Sequence, residues 1–170
     1  MKDTGLIVGT ILVGLLVFWP KRQAAAGTPT GEPVKGPSTP GGYTWGDIEQ
    51  AFREASYEWG VPDGVLKAMA DIESAFRPEI VSGQVKGAAG EIGIMQITPR
   101  WHPDVDPYNP IHSIWYAAGW LADLYRRFGS WRLAVAAYNW GPTNLAEKGY
   151  QAAPSVTKRY VDRVAGVTGI

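Results

Sequence analysis

Four prolines within twenty residues, Pro29, Pro33, Pro37 and Pro40 in the stretch 23–42, divide this chain. A segment built from Pro, Gly, Ser and Thr cannot bury enough apolar surface to offset the entropy of ordering it. Its prolines favour an extended, semi-rigid linker. At about 3.1 Å per residue it spans roughly 60 Å. Packing is therefore confined to what flanks it: residues 1–22 on one side and 43–170 on the other. The second piece has the length of one ordinary domain.

The first piece carries an uncharged apolar run, Thr4 to Trp19. As a helix its length is about 24 Å, short of a hydrocarbon core of roughly 30 Å. Lys2, Lys21 and Arg22 can snorkel to extend it, and Trp19 stands where an interfacial aromatic belongs. Residues 1–22 are expected to form an N-terminal transmembrane anchor, so that the membrane is one partner. A cleaved signal peptide is the alternative, with Lys2 as its charged start and Ala24-Ala25-Ala26 as its cleavage site. Pro20-Lys21-Arg22, which separates the apolar run from those alanines, speaks against it. Two cations follow the run and one precedes it, which by the positive-inside rule puts the C-terminal side in the cytoplasm. Gly5 and Gly9 form a small-xxx-small pair, a weak signal for helix association.

In the second piece helical spacing recurs nearly throughout. Thr44 and Asp47 make a capping box. Ile48, Ala51, Phe52, Ala55 and Trp59 then follow helical spacing, and Gly60 ends the helix. A second helix opens at Pro62-Asp63. Its Val65, Met69, Ile72 and Phe76 fall within about 60° of one another, and Pro78 stops it. The stretch from Phe76 to Gly93 is Gly-rich and loop-like. Ser113 is expected to cap a third helix through Ile114, Ala117, Leu121, Leu124 and Phe128, closed by Gly129. Ser130 opens a fourth, Trp131 to about Asn139, whose single charge, Arg132, marks it as the buried central helix. A last helix runs from about Ser155 to Val164. No pair of strands with hairpin signals stands out. The fold class is mostly α.

Composition excludes several functions. From Tyr43 onward there are 12 basic and 14 acidic residues, not the basic face that binding nucleic acid without sequence preference requires. There is no cysteine, hence no disulfide, no thiolate nucleophile and no Cys-based metal site. His102 and His112 lack metal-ligand spacing, and neither metal nor cofactor is implied. Gly87-Ala88-Ala89-Gly90 lacks the Gly-Lys-Ser/Thr ending of a phosphate loop. The eight Trp residues divide between filling the core and stacking on sugar rings. Nothing bears on oligomeric state.

Glu73 is the residue that points to chemistry. It sits about 40° from Met69 on its helix, at the edge of the apolar stripe, while Asp71 faces solvent. It is also in the last turn, where free carbonyls make the potential negative. Partial burial and that potential both favour the protonated carboxyl, the form a general acid needs. Arg77, four residues on, would oppose this by pairing with it. Taken alone, a glutamate near a helix end is more often an ion-pair residue than a catalyst.

Its company changes that reading. Glu73-Ser74-Ala75-Phe76 is followed by Gly93-Ile94-Met95-Gln96-Ile97 with Thr98-Pro99, then by Asp106-Pro107 and Pro110, the Gly-bounded helix around Leu121, Ala137-Tyr138-Asn139-Trp140-Gly141-Pro142, and Tyr160-Val161. In this order and spacing they resemble the Slt-type lytic transglycosylases and their relatives, the goose-type lysozymes, from about Trp45 to Val164. The resemblance implies a lysozyme-like α-helical domain over 43–170 that acts on peptidoglycan glycan strands. It implies Glu73 as the single acid/base, cleaving the β-1,4 bond after N-acetylmuramic acid to leave a 1,6-anhydro ring. It also implies substrate contacts from Tyr138, Asn139 and Gln96, packing of Met95 under the glutamate, and steering of Glu73 by Tyr160. Ser74 either bonds near the acid or satisfies backbone at the helix end. The catalytic domain would then face peptidoglycan, from a bacterial membrane or in a phage virion. The cation count around the apolar run argues for the opposite orientation.

There are departures from the family pattern: a longer loop from Ile80 to Glu91, Ser113 for Asn, Ala117 for Gly, and Trp140 and Thr143 for small residues near the cleft. Two other functions remain open. One is a hydrolytic muramidase on the same fold, with water positioned by Glu91, Asp104 or Asp106. The other is a non-catalytic wall-binding or assembly scaffold.

Overall fold

The computed structural model describes residues 42–170, so the expected anchor at 1–22 and all but the last residue of the linker lie outside the described residues. Among the described residues there are seven α-helices: α1 Trp45–Trp59, α2 Val65–Ser74, α3 Pro78–Val81, α4 Pro110–Phe128, α5 Trp131–Trp140, α6 Pro142–Lys148 and α7 Ser155–Thr168. A single 3-10 turn, Tyr150–Ala152, precedes α7. An isolated antiparallel bridge joins Ile92 and Ile97. None of these helices is long and apolar enough to cross a membrane.

The helix α1 begins where Thr44 and Asp47 satisfy each other's backbone N–H groups, at 3.2 and 2.7 Å, and ends at Gly60 in the left-handed conformation. Its buried stripe, Ile48, Ala51, Phe52 and Ala55, packs on α4, the longest helix. The helix α4 also packs on α5, and α5 on α7. The small side chains of Ala134, Ala136 and Ala137, fully buried with Val135, let α5 lie closely between these neighbours. The helix α7 also packs on α2. The packing of α7 on both α2 and α5 thus brings together residues of α2 and α7 that lie more than 80 positions apart along the chain.

Helix boundaries differ from the sequence expectation at four points. Gly64, at φ 76°, interrupts the chain after Pro62-Asp63, so α2 starts at Val65. It ends at Ser74 instead of at Pro78, because Ala75 turns left-handed and closes the helix on the Asp71 carbonyl. Pro78 opens the short α3 instead, its fixed φ and missing N–H suiting a first helical position. The cap of α4 is Asn109, whose side-chain oxygen accepts from His112 N–H at 3.1 Å, with Pro110 next. Ser113 lies inside the first turn, fully buried, its hydroxyl donating to the Pro107 carbonyl at 3.4 Å. The last helix runs one turn further, to Thr168, where Gly169 caps it.

The tryptophans are mostly core-facing. Trp140 is buried, and Trp45, Trp59, Trp115, Trp120 and Trp131 pack half-buried against the core. Trp101 is 42 % exposed.

Candidate active site

The helix α2 delivers Glu73 one residue before its end. Asp71 is exposed and in loose contact with Arg163 at 3.8 Å. Glu73 is half-buried, and its Oε1 accepts a hydrogen bond from Tyr160 Oη at 2.8 Å. Arg77 turns away and lies 3.9 Å from Glu79; no ion pair among the described residues engages Glu73. Although part of its surface is open, apolar packing dominates its titration. Loss of hydration raises the carboxyl from its usual 4.5 to about 7, the Tyr160 hydrogen bond lowers it, and the Glu91 charge raises it. Desolvation wins because a carboxylate sheltered from water has only one phenol to replace its hydration.

Two tyrosines border this carboxyl. Tyr160 on α7 is buried, and both burial and the Glu73 charge hold its hydroxyl protonated. Tyr138 on α5 is held protonated by burial and next by the same charge. Its hydroxyl donates to the Met95 carbonyl at 3.1 Å, which ties α5 to the turn Gly93–Gln96. That turn is held by the Ile92–Ile97 bridge, with N–H···O bonds of 3.0 Å in both directions. Gln96, half-buried, donates its side-chain amide to the Gly93 carbonyl at 2.9 Å. Asn139 follows Tyr138 on α5 and is half-buried.

Among the described residues, the non-glycine residues with left-handed backbone are Ala75, Phe76 and Gln96, at φ 49°, 52° and 47°. All three fall in the two segments that flank the acid. Such positions cost about 1–2 kcal/mol each and persist where surrounding structure over-determines them. Phe76 is fixed by edge-on contacts with Trp45 and Phe52, centroids 6.0 and 6.3 Å apart. The end of α2, and with it Glu73, is therefore anchored to α1.

The structure adds detail at two of the expected site residues. The Met95 side chain is fully buried in the core, and its backbone carbonyl accepts from Tyr138. The Ser74 hydroxyl donates to the Ala70 carbonyl at 2.9 Å and accepts from Phe76 N–H at 3.2 Å. Of its two possible roles it takes the backbone one, stabilising the turn after the acid. Glu73, Tyr138 and Tyr160 are brought together, with Gln96 on the adjoining turn.

Of the three acids considered for holding water, Asp104 and Asp106 are exposed. Asp106 caps its own turn by accepting from Tyr108 N–H at 3.0 Å. Glu91 alone is buried and acts on Glu73. The sequence gives no periodic signal for that proximity, because Glu91 lies on a loop. Nor does it signal His102, whose Nδ1 lies 2.6 Å from Tyr116 Oη and whose burial disfavours its charged form.

Replacing Tyr160 by Phe removes the one hydrogen bond that favours ionised Glu73. In the Tyr160→Phe variant the Glu73 midpoint should rise above about 7, by roughly half a unit to one unit. Carbon-13 NMR of the carboxyl as a function of pH measures it, and a downward shift would contradict the assignment.

Compared with known proteins, residues 50–160 match the family model of the transglycosylase SLT domain. No solved structure matches the chain.

Proposed function

Because the chain belongs to the transglycosylase SLT-domain family, the lytic transglycosylases that break glycosidic bonds in peptidoglycan, we propose that Glu73 is its acid/base and that the bond is cleaved without water. The carrying observation is one carboxyl, sheltered and hydrogen-bonded to Tyr160, that holds its proton up to about pH 7. Protonated Glu73 donates to the bridging oxygen between N-acetylmuramic acid and N-acetylglucosamine as the C1–O bond breaks and oxocarbenium character develops. The carboxylate so formed takes the proton from the muramic C6 hydroxyl, whose oxygen attacks C1. Acid and base are the same group, regenerated at the end, and the product is a 1,6-anhydro ring. Gln96, Tyr138 and Asn139 are the groups assigned to contact the sugar. The run Thr4 to Trp19 anchors the domain at a membrane, and the linker sets its reach into the wall. Local opening of peptidoglycan, in envelope remodelling or in phage entry, suits that arrangement.

One observation favours a second reading. Ordinary glycosidases work with two carboxyl groups, and Glu91 is a second one acting on Glu73. It would then position a water molecule, and the product would carry a reducing end. Digestion of purified sacculi in ¹⁸O-labelled water separates the two. The expected result is anhydro-muropeptides free of label. Label at the anomeric position of a reducing muramic acid would overturn the non-hydrolytic route and leave Glu73 as the acid of a hydrolase.

A further inference from the structure

Between Asn139 and Tyr160, both residues of the site, the chain is electropositive. The stretch 140–159 carries Lys148, Lys158 and Arg159 against one acid, Glu147, in a domain whose acids otherwise outnumber its bases. It is folded against the elements that bear the site: α6 packs on α5, the 3-10 turn on α6, and α5 on α7. Lys148 is the most firmly placed of the three cations. Its Nζ donates to Asn144 Oδ1 at 2.8 Å, and the Asn144 amide donates to the Trp140 carbonyl at 3.0 Å. The ammonium lies 5.8 Å from the centre of the Trp140 ring. Trp140 is buried, follows Asn139 directly, and is one of the positions that depart from the family pattern. Lys158 is held in the same way, donating to the Gln151 carbonyl at 2.7 Å. Both lysines are thus fixed by neutral oxygens. No ion pair among the described residues involves Lys148, Lys158 or Arg159. The helix α7 opens with no acid in its first turn and no capping side chain, so its free N–H groups add to the positive potential of the lysines.

We propose that this segment is a binding site for the stem-peptide carboxylates of peptidoglycan, with Lys148 as its principal contact, and that it makes the chain favour strands whose peptides keep those charges. This rests on the reading of the chain as a wall-cleaving enzyme. The N-acetyl sugars of the strand are uncharged, and the lactyl group of N-acetylmuramic acid is tied up as an amide wherever a peptide is attached. The anions of the substrate are therefore the carboxylates of the peptide, which hangs from the sugar whose bond is cleaved. A lysine already held by Asn144 and the Trp140 ring has lost rotamer freedom before the anion arrives, so less is lost on binding. Its charge, unpaired in the free protein, is what a carboxylate would meet.

The test uses sacculi freed of phosphate-bearing polymers, and the same sacculi with their carboxylates converted to methylamides. Muropeptide release by the full chain reads apparent KM and kcat on each. Co-sedimentation of full chains carrying Glu73→Gln reads binding without cleavage. On untreated sacculi Lys148→Gln should raise KM about threefold with kcat kept, and weaken co-sedimentation by a like factor. On amidated sacculi Lys148→Gln and wild type should differ little, both binding more weakly than wild type does on untreated sacculi. Lys148→Arg, which keeps the charge, should stay near the wild type on both. Equal loss on the two substrates would make Lys148 a structural support for Trp140 and overturn the proposal, as would no loss on either. If co-sedimentation depends on Lys148 and on the carboxylates as expected while the wild type releases nothing, the carboxylate site stands and the assignment of Glu73 as the acid fails.

Discussion

Replacing Glu73 by Gln should lower wall cleavage by about a thousandfold, within the range that general acid–base groups contribute, while making the protein more stable in alkali. Glutamine retains an oxygen for the Tyr160 hydroxyl and fits the same space, so the fold is kept. It has no proton to give. The stability effect follows from linkage. The Glu73 carboxyl titrates near 4.5 when exposed in the unfolded chain and near 7 in the fold. Between those values the native state holds the extra proton, so stability falls as pH rises from about 4.5 to about 7. Above 7 the loss is complete. Partial solvent access reduces it to about 2 kcal/mol, or roughly 6 °C in Tm. Thermal melts of wild type and Glu73→Gln should therefore coincide at pH 4 and separate at pH 8, with the variant higher. A variant that melts with the wild type at pH 8, or melts lower, would show that Glu73 is not a group held protonated against its own solvation.

The second large effect is on folding, at Gly93. Its φ of 78° lies in the left-handed region, and a Cβ there would land on the Pro107 backbone carbonyl oxygen. A backbone atom cannot move aside as a flexible side chain does. Gly93 also supplies the carbonyl that accepts both the Gln96 backbone N–H, at 3.1 Å, and the Gln96 side-chain amide. Gly93→Ala should cost about 3–5 kcal/mol, the range of a steric fault at a special backbone position. That is roughly 10 °C or more in Tm. Gly90→Ala is the control: its φ of 86° is equally unfavourable, but no heavy atom lies within 4 Å of its Cβ. Its loss should be only about 1–2 kcal/mol. Equal losses at the two positions would mean that strain alone, and not the Pro107 contact, makes Gly93 necessary.

Much of the architecture was legible in the sequence because helical spacing records burial directly. The stripes of α1, α4 and α5 are the buried faces, and Gly60 and Gly129 are left-handed caps, as the sequence leads one to expect. Several of the boundary errors lie at prolines. Pro78, Pro110 and Pro142 each open a helix. A proline is equally at home just after one helix or in the first turn of the next, and local sequence does not decide between them. The short α3 and α6 went unseen because four to seven residues carry too little periodicity.

The candidate site was legible in part. Glu73 at the edge of its stripe and Asp71 outside it follow from a 100° turn per residue. That Tyr160, 87 residues away, reaches the carboxyl follows from no local pattern; the family resemblance supplied it. The left-handed backbone of Ala75, Phe76 and Gln96 is not revealed by side-chain patterns. The hydrogen bond from Ala89 N–H to the Glu91 carboxyl, at 2.9 Å, is a loop geometry that carries no periodic signal.

The most direct measurement is mass spectrometry of the muropeptides released from purified sacculi by the full chain and by Glu73→Gln. Release of 1,6-anhydro-muropeptides by the wild type, and essentially none by a folded Glu73→Gln, is the expected result. Release at an undiminished rate by Glu73→Gln, or none by a folded wild type, would contradict the assignment of Glu73 as the acid of a wall-cleaving enzyme.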